Sequence, residues 1–159
     1  MELRTDLRAG DIGAIVRLHG LLYAQEYGWD YRFEAYVARS LADFALKHDA
    51  QRERIWIAEQ NEALTGCIGI VDAGDSQAQL RWFLLEPSAR GQGLGKRLVA
   101  EALAFTREAG YQSVFLWTVR GLDAATHLYQ LHGFTLSEEH DSAQWGTTVR
   151  EQRYDLPLG

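Results

Sequence analysis

A glycine-rich segment that joins a strand-like run to a helix-like run constrains the fold of this chain more than any other feature. The segment reads ARGQGLGKRLV over residues 89–99, and Gly91, Gly93 and Gly95 stand at alternate positions beside basic residues. Glycine leaves backbone N–H groups open where a Cβ would block close approach, and the start of the next helix adds partial positive charge. The pattern therefore predicts a loop that binds phosphate at the beginning of a helix.

Two common phosphate-binding loops do not fit this spacing. A P-loop requires a lysine followed by serine or threonine, whose hydroxyl binds magnesium, but Arg97 follows Lys96 here. The dinucleotide loop has the spacing G-x-G-x-x-G, whereas the segment from Gly91 to Gly95 reads G-x-G-x-G. A connection that binds nothing is a further alternative, although three glycines between a strand and a strong helix argue against it.

Length and composition favour one domain over residues 1–159. The chain has only two prolines, Pro87 and Pro157, and no linker, internal repeat or low-complexity tract. Its net charge of −6 argues against a nucleic-acid partner, which would require a basic surface. No apolar run is long enough to cross a membrane, and the charged start MELRTDLRAG lacks the apolar region of a signal peptide.

The cysteine and histidine content indicates the compartment and the metal chemistry. Cys67 is the single cysteine, which excludes an intrachain disulfide and favours a buried thiol in a reducing compartment. The five histidines show no spacing that suits a metal site. We therefore expect a cytoplasmic protein without a bound metal and without a membrane partner.

Hydrophobic periodicity and turn residues divide the chain into helices and strands. Helix-like runs begin at Asp11, near Phe33, after the glycine-rich segment and at Asp123, and we expect Asp11 and Asp123 to act as N-caps. The strand-like runs are 2–7, 54–60, 64–72, 77–86, 113–119, 134–139 and 147–156. This order predicts an α/β fold in which helices pack on a mixed sheet, without the strict alternation of a doubly wound nucleotide fold.

Two segments carry a resemblance to the GNAT superfamily of N-acetyltransferases. LLEPSARGQGLGKRLV resembles the acetyl-CoA-binding motif R/Q-x-x-G-x-G/A, with Arg90 to Gly95 in the motif positions. DAATHLYQLHGF over 123–134 is similar to the A-x-x-x-Y-x-x-x-G-F segment of that superfamily. The order of strands and helices matches over nearly the whole chain. The resemblance implies a mostly antiparallel sheet that splays between its fourth and fifth strands and carries about four helices.

A narrower resemblance involves the first two helices. HGLLYAQEYGWDYRFEAYVARSLADF over 19–44, together with LWT over 116–118, resembles the acetyltransferase domain that bacteria fuse to MarR-type regulators. In those relatives an asparagine usually follows LWT, whereas Val119 stands here. The chain has no room for a winged helix before this region, and we expect the acetyltransferase part alone.

The resemblance implies acetyl-CoA as the acetyl donor and no metal. In the superfamily the pantetheine arm lies in the gap of the splayed sheet, paired with backbone groups of the fourth strand, and the glycine loop binds the pyrophosphate. Asp123 lies where many relatives place an asparagine near the cofactor, and its alternative role is the helix cap. The residues expected to bind acetyl-CoA are Leu84, Leu85, Arg90, Gly91, Gln92, Gly93, Leu94, Gly95, Lys96 and Asp123.

The reaction that the resemblance implies is direct attack of a neutral amine on the thioester. Such a reaction requires a base for the ammonium proton, a proton donor for the thiolate leaving group, and polarisation of the carbonyl. Tyr129 matches the tyrosine that many relatives use as the proton donor. Its alternative role is that of a core aromatic on a short helix.

The acceptor side is less well defined. Glu26 and Tyr27 correspond to a region that lines the acceptor pocket in relatives, and Glu26 is a base, a cation ligand or a solvated carboxylate. Arg81 stands in mid-strand, where it either reaches solvent or binds a substrate carboxylate. The residues expected to bind the acceptor are therefore Glu26, Tyr27 and Arg81.

Three aromatic residues are weaker candidates for the acceptor site. His19 is either a base or, more commonly for a histidine on a helix face, a packed and hydrogen-bonded residue. Trp29 and Trp145 fall in predicted loops, where their rings can wall the acceptor pocket.

The sequence thus predicts an N-acetyltransferase that transfers the acetyl group of acetyl-CoA to a primary amine in a ternary complex, without a covalent enzyme intermediate. Two alternatives stay open: a non-catalytic module that senses acetyl-CoA, and an enzyme with a different acyl donor. The sequence does not identify the amine acceptor. Dimers are common among relatives, which makes a homodimer one candidate assembly.

Overall fold

Seven strands and four α-helices make up residues 2–159, the part of the chain that the computed structural model describes. The helices are α1 (Asp11–Tyr27), α2 (Tyr31–Lys47), α3 (Leu94–Glu108) and α4 (Asp123–Leu131). The strands are β1 (Glu2–Arg4), β2 (Arg54–Gln60), β3 (Ala63–Asp72), β4 (Gln77–Leu85), β5 (Ser113–Val119), β6 (Thr135–Ser142) and β7 (Val149–Pro157). A 3-10 turn at Pro87–Ala89, which sequence patterns did not indicate, connects β4 to the glycine-rich loop.

The strands form one mixed sheet in the order β1-β2-β3-β4-β5-β7-β6. Neighbouring strands are antiparallel except β4 and β5, which run parallel. The parallel register covers only the pairs Gln77–Ser113, Ala78–Val114 and Gln79–Phe115, so the remaining lengths of β4 and β5 do not pair with each other. The predicted mixed α/β fold, with a sheet that opens between its fourth and fifth strands, is confirmed.

A β-bulge at Trp82 bends β4 where the two parallel strands separate. Between the pairs Gly69–Arg81 and Cys67–Leu84, β4 has one residue more than β3. Trp82 takes a φ of 53°, which bulky side chains rarely adopt. The Cys67 thiol donates a hydrogen bond to the Trp82 carbonyl oxygen, with Sγ and O 3.1 Å apart. A side chain at Gly69 would overlap the Trp82 indole, so this glycine makes room for the bulge.

Helices cover both faces of the sheet. On one face α3 and α4 pack against the sheet around a core that includes Leu98 and Leu116. On the other face α1 and α2 pack against the sheet around a core that includes Ile15, Ile57 and Cys67. All five side chains are buried, and burial raises the pKa of the Cys67 thiol to about 12, which makes it an unreactive core residue, as expected. Within residues 2–159, none of the helices has the length and apolar character needed to cross a membrane.

Neither Asp11 nor Asp123 is an N-cap, which corrects the prediction from sequence. Gly10 occupies the cap position of α1, and Asp11 is the first helical residue. Its carboxylate accepts hydrogen bonds of 2.8 and 2.7 Å from the Arg4 guanidinium, which holds the pKa of that carboxyl below its usual range. Leu122 occupies the cap position of α4, and no side-chain bond caps that helix. The Asp11 carboxylate, which the sequence pattern assigned to capping α1, is therefore bound by Arg4 of β1 instead.

Other boundaries lie within a few residues of the predicted ones. The strand predicted over 2–7 ends earlier, at Arg4. α2 begins two residues before Phe33, because Asp30 caps it through a hydrogen bond to a backbone N–H in its first turn. Asn61 and Glu62 both take positive φ values, 53° and 63°, as expected for a tight hairpin between β2 and β3.

Candidate active site

A cavity of about 390 Å³ opens where β4 and β5 separate. Its walls come from α1, α2, β4, β5 and α4, and the β6–β7 hairpin adds His140, Trp145 and Glu151. Trp82 lies on the wall, so the bulge in β4 and the lost pairing with β5 together create the space. A cavity of this size with mostly apolar walls is typical of a small-molecule site.

Tyr129 of α4 lies on the wall of this cavity. Its ring is 5% exposed, and its centroid is 6.0 Å from that of Phe83 and 5.9 Å from that of Phe134. Burial raises the pKa of the Tyr129 phenol well above its ordinary value. The hydroxyl therefore keeps its proton and can act as a hydrogen-bond donor. Tyr129 combines a place in the core with a place on the cavity wall.

The glycine-rich loop leads into three backbone N–H groups that the following helix does not use. Gly93 caps α3 with a φ of 81°, and the first helical hydrogen bond runs from the Arg97 N–H to the Gly93 carbonyl oxygen (3.1 Å). The N–H groups of Leu94, Gly95 and Lys96 consequently have no acceptor in their own helix. Because the positive end of the helix dipole lies at the same place, these groups can bind an anion.

Side-chain contacts hold the loop in shape. The Glu86 carboxylate accepts a hydrogen bond from the Ser88 N–H (3.1 Å), and the Gln92 amide donates one to the Ser88 carbonyl oxygen (3.0 Å). Gly91 takes a φ of 77°, a conformation that other residues avoid. Gln92 thus supports the loop while the residue as a whole is exposed.

Leu94 and Gly95 face the protein interior. Leu94 is buried, and a Cβ at position 95 would lie 3.2 Å from Leu85 and 3.4 Å from both Leu128 and Phe83. The missing side chain lets α3 pack closely against β4 and α4. Only the backbone N–H groups of these two residues can therefore face a ligand.

The end of β4 presents an open backbone edge. Leu84 and Leu85 pair with Cys67 and Gly66 of β3 on one side, whereas pairing with β5 stops at Gln79 on the other. The Leu84 side chain is buried between the sheet and the helices α1 and α2. The edge that faces β5 can pair with an extended ligand in the way that an added strand does.

Glu26 forms an ion pair with Arg90 at the glycine-rich loop. Arg90 Nη2 lies 2.8 Å from Glu26 Oε1, and Arg90 Nε donates to the Leu85 carbonyl oxygen (3.3 Å). Tyr27 is 39% exposed, and partial burial followed by the Glu26 charge raises its pKa. Within the described chain, Glu26 and Tyr27 are not part of the cavity wall. The sequence suggested an acceptor role for both residues, and the structure places Glu26 at the loop, where the Arg90 guanidinium engages its carboxylate.

Arg81 lines the cavity, and its Nη2 donates a hydrogen bond to the Tyr36 hydroxyl (2.8 Å). Its guanidinium carbon lies 5.6 Å from the ring centroids of Tyr36 and of Trp82. Arg81 forms no ion pair with any of residues 2–159. A guanidinium held by neutral groups at a cavity wall can bind an anionic group of a ligand.

Aromatic rings form the cavity wall on the side of α1 and α2. The centroid distances are 4.6 Å for Trp29–Trp145, 4.7 Å for Trp29–Phe33 and 4.7 Å for Tyr23–Phe33. The Asp30 N–H donates a hydrogen bond to the Trp145 carbonyl oxygen (2.9 Å), which ties the β6–β7 connection to the start of α2. Trp29 and Trp145, which the sequence suggested as walls of an acceptor pocket, line this cavity. Tyr23 and Phe33 line it too, although they showed only helix periodicity in the sequence.

His19 of α1 belongs to the same wall and is 3% exposed. Its Nδ1 lies 2.8 Å from the Ile15 carbonyl oxygen, and its Nε2 has no hydrogen-bond partner among residues 2–159. Burial lowers the pKa of the imidazole to about 4, so the ring is neutral at pH 7. The sequence favoured a packed helix residue here, and no local pattern reveals the unpartnered nitrogen.

The β6–β7 hairpin adds a histidine–glutamate contact that sequence reasoning missed. His140 Nε2 lies 2.9 Å from Glu151 Oε2, and both residues line the cavity. The His140 ring centroid is 5.2 Å from that of Trp117. His140 and Glu151 face each other through the register of β6 and β7, which neither strand reveals by itself.

The remaining predicted cofactor residues lie on the surface near the loop. Lys96 is exposed in the first turn of α3. Asp123 is exposed at the start of α4, and its charge contributes to the raised pKa of Tyr27. Within residues 2–159, no group of three or more histidine, cysteine, aspartate or glutamate side chains could hold a metal ion.

The site thus combines a sheet that opens between two parallel strands with a glycine loop at the start of a helix. The sequence model of the Acetyltransferase (GNAT) family matches residues 21–134. The chain belongs to this family.

Similar sequences include two proteins of Rattus norvegicus. N-acetyltransferase 8 is 34% identical over 135 residues, which cover 77% of this chain and 61% of that protein. N-acetyltransferase 8B is 36% identical over 136 residues, with the same two coverages of 77% and 61%. The chain therefore spans about three fifths of the length of these curated relatives.

Solved structures share the fold over the full chain. The structure of yncA from Salmonella typhimurium with its cofactor acetyl-CoA has a TM-score of 0.78 and 18% identity, covering 100% of this chain and 94% of that one. Ribosomal-protein-alanine N-acetyltransferase from Brucella melitensis has a TM-score of 0.78 and 16% identity, covering 99% and 100%. At these identities the likeness establishes the fold alone.

Proposed function

We propose that this chain is an N-acetyltransferase that transfers the acetyl group of acetyl-CoA to a primary amine by direct attack in a ternary complex. The observation that carries the proposal is one cavity bordered by the diverging strands β4 and β5, the Tyr129 ring and an aromatic wall. Membership of the acetyltransferase family and the names of the rat relatives support the same reaction type.

The donor is proposed to lie along the opened sheet. The backbone of Leu84 and Leu85 has no strand partner on the side of β5, where it can pair with the amides of pantetheine once Arg90 leaves the Leu85 carbonyl oxygen. The N–H groups of Leu94, Gly95 and Lys96 are free at the start of α3, where they can bind the pyrophosphate. These two sets of groups are separated by the 3-10 turn and the loop, an arrangement that suits an extended cofactor.

Exposed side chains complete the proposed donor site. Gln92 and Lys96 can contact the phosphates directly, and Arg90 can do so when it leaves Glu26. The positive φ values of Gly91 and Gly93 keep the loop backbone free of side chains on that surface. Asp123 is proposed only as a neighbour of the cofactor, because its charge opposes that of the phosphates.

Tyr129 is proposed as the proton donor. The amine lone pair attacks the thioester carbon, a C–N bond forms and the C–S bond breaks, which leaves a thiolate on coenzyme A. The protonated Tyr129 hydroxyl gives its proton to that sulfur, and the proton lost by the ammonium restores the phenol through solvent. Burial raises the pKa of Tyr129, so the phenol is still protonated at neutral pH when the thiolate forms.

The acceptor is proposed to enter from the side of the aromatic wall. Trp29, Phe33 and Trp145 present apolar surface to it, and Arg81 offers a guanidinium for a carboxylate. Glu26 and Tyr27 lie beside the loop, where they can guide a cationic amine toward the site. An amine with an apolar body suits these surroundings.

Several finer proposals rest on the sequence. The single buried cysteine supports a cytoplasmic location, and the likeness of residues 19–44 supports a relationship to the acetyltransferase domain of MarR-type regulators. The lack of linkers supports one domain over residues 1–159.

Initial-rate kinetics test the proposed reaction. Rates are measured while acetyl-CoA and one amine are varied together. A ternary complex predicts double-reciprocal lines that intersect, whereas parallel lines would indicate an acetylated enzyme and contradict direct attack. Mass spectrometry of the amine product must also show the addition of one acetyl group.

A further inference from the structure

One buried nitrogen in the cavity wall, Nε2 of His19, has no partner. Among residues 2–159 it is the one buried side-chain nitrogen or oxygen without a hydrogen bond. An unsatisfied buried polar atom costs roughly 1–3 kcal/mol, and native proteins contain few of them. An apolar residue at this position would avoid that cost. The unpaired nitrogen therefore requires an explanation from function.

The contacts of His19 determine which nitrogen carries the proton. Nδ1 lies 2.8 Å from the Ile15 carbonyl oxygen, and a carbonyl oxygen only accepts hydrogen bonds. Nδ1 is therefore the donor, and Nε2 is an unprotonated acceptor on the far side of the ring. Burial keeps the pKa of the imidazole at about 4, so this form persists at neutral pH.

Within residues 2–159, the side chains around His19 offer no hydrogen-bond partner to Nε2, so such a partner must come from the cavity. The ring stacks on Tyr23 at 6.2 Å with 7° between the planes, and Phe33 lies 6.4 Å away between centroids. Neither aromatic ring bonds to Nε2. Because the imidazole is part of the cavity wall, a bound molecule can present a hydrogen-bond donor to it.

We infer that His19 binds the acceptor, with Nε2 accepting a hydrogen bond from an N–H or O–H group of the bound amine. This inference rests on the proposed function, since it assigns a contact within that same site. A neutral imidazole with an unpaired acceptor nitrogen in a cavity wall favours a ligand that donates a hydrogen bond to that nitrogen and penalises one that does not.

The walls around His19 define the class of acceptor. Trp29, Phe33 and Trp145 line the same cavity, so the body of the acceptor is apolar or aromatic. The group that meets His19 carries a polar hydrogen. An aryl-alkyl amine has both properties, whereas a polyamine would place several cations against apolar rings, and the one carboxylate among the described lining residues, Glu151, already contacts His140.

Tyramine and 2-phenylethylamine are matched probes of this inference. Both carry an amine on an aromatic body, and tyramine adds a hydroxyl at the opposite end. If His19 binds the amine group, both probes depend on it. If His19 binds the far end, only tyramine does, and either result supports the inference.

Two variants separate the two ring nitrogens. His19→Asn retains a side-chain N–H near the position of Nδ1, so the bond to Ile15 can persist, but it has no acceptor at the position of Nε2. His19→Gln is longer and places an amide oxygen near that position. We expect His19→Asn to raise the KM of at least one probe about tenfold, the loss of one hydrogen bond, and His19→Gln to restore part of it. The KM of acetyl-CoA stays within about twofold for both, because His19 contacts Ile15, Tyr23 and Phe33 and not the glycine loop.

If the wild-type protein acetylates neither probe, that result counts against the proposed function for these amines. A binding measurement still tests the inference about His19 in that case. The protein is saturated with coenzyme A, and the ¹⁵N resonance of His19 Nε2 is followed as tyramine or 2-phenylethylamine is added. A shift of Nε2 in the wild type supports the inference. An unshifted Nε2 with both probes, or folded His19→Asn with unchanged KM values for both, overturns it.

Discussion

Arg90 in the glycine-rich loop and Glu26 near the end of α1 form an ion pair, with 2.8 Å between Nη2 and Oε1. The pair connects the segment proposed to bind the donor phosphates with a helix that lines the cavity proposed for the acceptor through other residues. It also means that Glu26 is engaged as a partner of a cation. A carboxylate in that position modulates donor binding more readily than it removes a proton from an amine.

Glu26→Gln tests this interpretation. The substitution releases Arg90 and removes a negative charge near the proposed pyrophosphate site, so we expect the KM of acetyl-CoA to fall about two- to threefold, in keeping with a partly exposed pair. We expect kcat to stay within about threefold of wild type, because loss of a general base would lower it about a hundredfold or more. Steady-state kinetics decide, and a large fall in kcat would assign the base to Glu26.

Tyr129→Phe should remove the proton donor and leave the donor site intact. We expect kcat to fall about a hundredfold, the lower range for loss of a general acid, while the affinity for acetyl-CoA measured by calorimetry changes little. Tyr111→Phe is the matched control, because the Tyr111 hydroxyl donates to the Arg52 carbonyl oxygen (2.6 Å) outside the cavity wall. Equal kcat values for the two variants would remove Tyr129 from its proposed role.

Arg81→Gln tests whether the acceptor carries a carboxylate. L-phenylalanine and 2-phenylethylamine differ by that group alone, so the variant should lower kcat/KM about tenfold or more for the amino acid and little for the amine. Arg81→Lys should recover only part of the loss, since lysine cannot form the same paired hydrogen bonds. If the ratio of kcat/KM for L-phenylalanine to that for 2-phenylethylamine is the same in wild type and Arg81→Gln, Arg81 has no role in carboxylate binding.

Gly69→Ala should destabilise the bulge in β4. An added Cβ would overlap the Trp82 ring, so we expect the free energy of unfolding in urea to fall by about 1–3 kcal/mol. Gly13→Ala provides the control, because Gly13 lies within α1 and a Cβ there meets no atom within 4 Å. That variant should be about 0.5–1 kcal/mol more stable than wild type. An unchanged stability of Gly69→Ala would contradict the tight packing at Trp82.

The stability of the protein should depend on the protonation of His19. Its pKa is about 4 in the folded protein, against an ordinary value of 6.5 for histidine, so the unfolded chain binds more protons between these two pH values. The contribution is fully present above pH 6.5 and is lost as the pH falls toward 4. We expect wild type to lose about 2 kcal/mol more than His19→Asn between pH 7 and pH 4.5 in urea unfolding. Parallel pH profiles for the two proteins would contradict the buried neutral imidazole.

Much of the fold could be predicted because its signals are local. Continuous apolar runs, the turn at Asn61–Glu62 and the proline after β4 mark the ends of strands wherever they occur. The prediction that Asp11 caps α1 failed because Arg4 of β1 engages its carboxylate, a contact that the helix pattern does not show. The bulge at Trp82 was not predicted either, because it depends on the opposing Gly69 of β3.

In the candidate site, too, local motifs could be predicted and tertiary contacts could not. The glycine loop and Tyr129 were found from motifs, which are contiguous in sequence. The pairing of Glu26 with Arg90 joins residues 64 positions apart, and the facing of His140 and Glu151 depends on strand register. Such contacts depend on tertiary packing, and no local pattern in a single sequence predicts them.

Release of free coenzyme A thiol from acetyl-CoA, measured across a panel of primary amines, tests the central claim most directly. We predict release that requires both the protein and an amine, with the highest rates for amines on apolar bodies. Tight binding of acetyl-CoA without thiol release for any amine would contradict an acetyltransferase and favour a module that senses the cofactor.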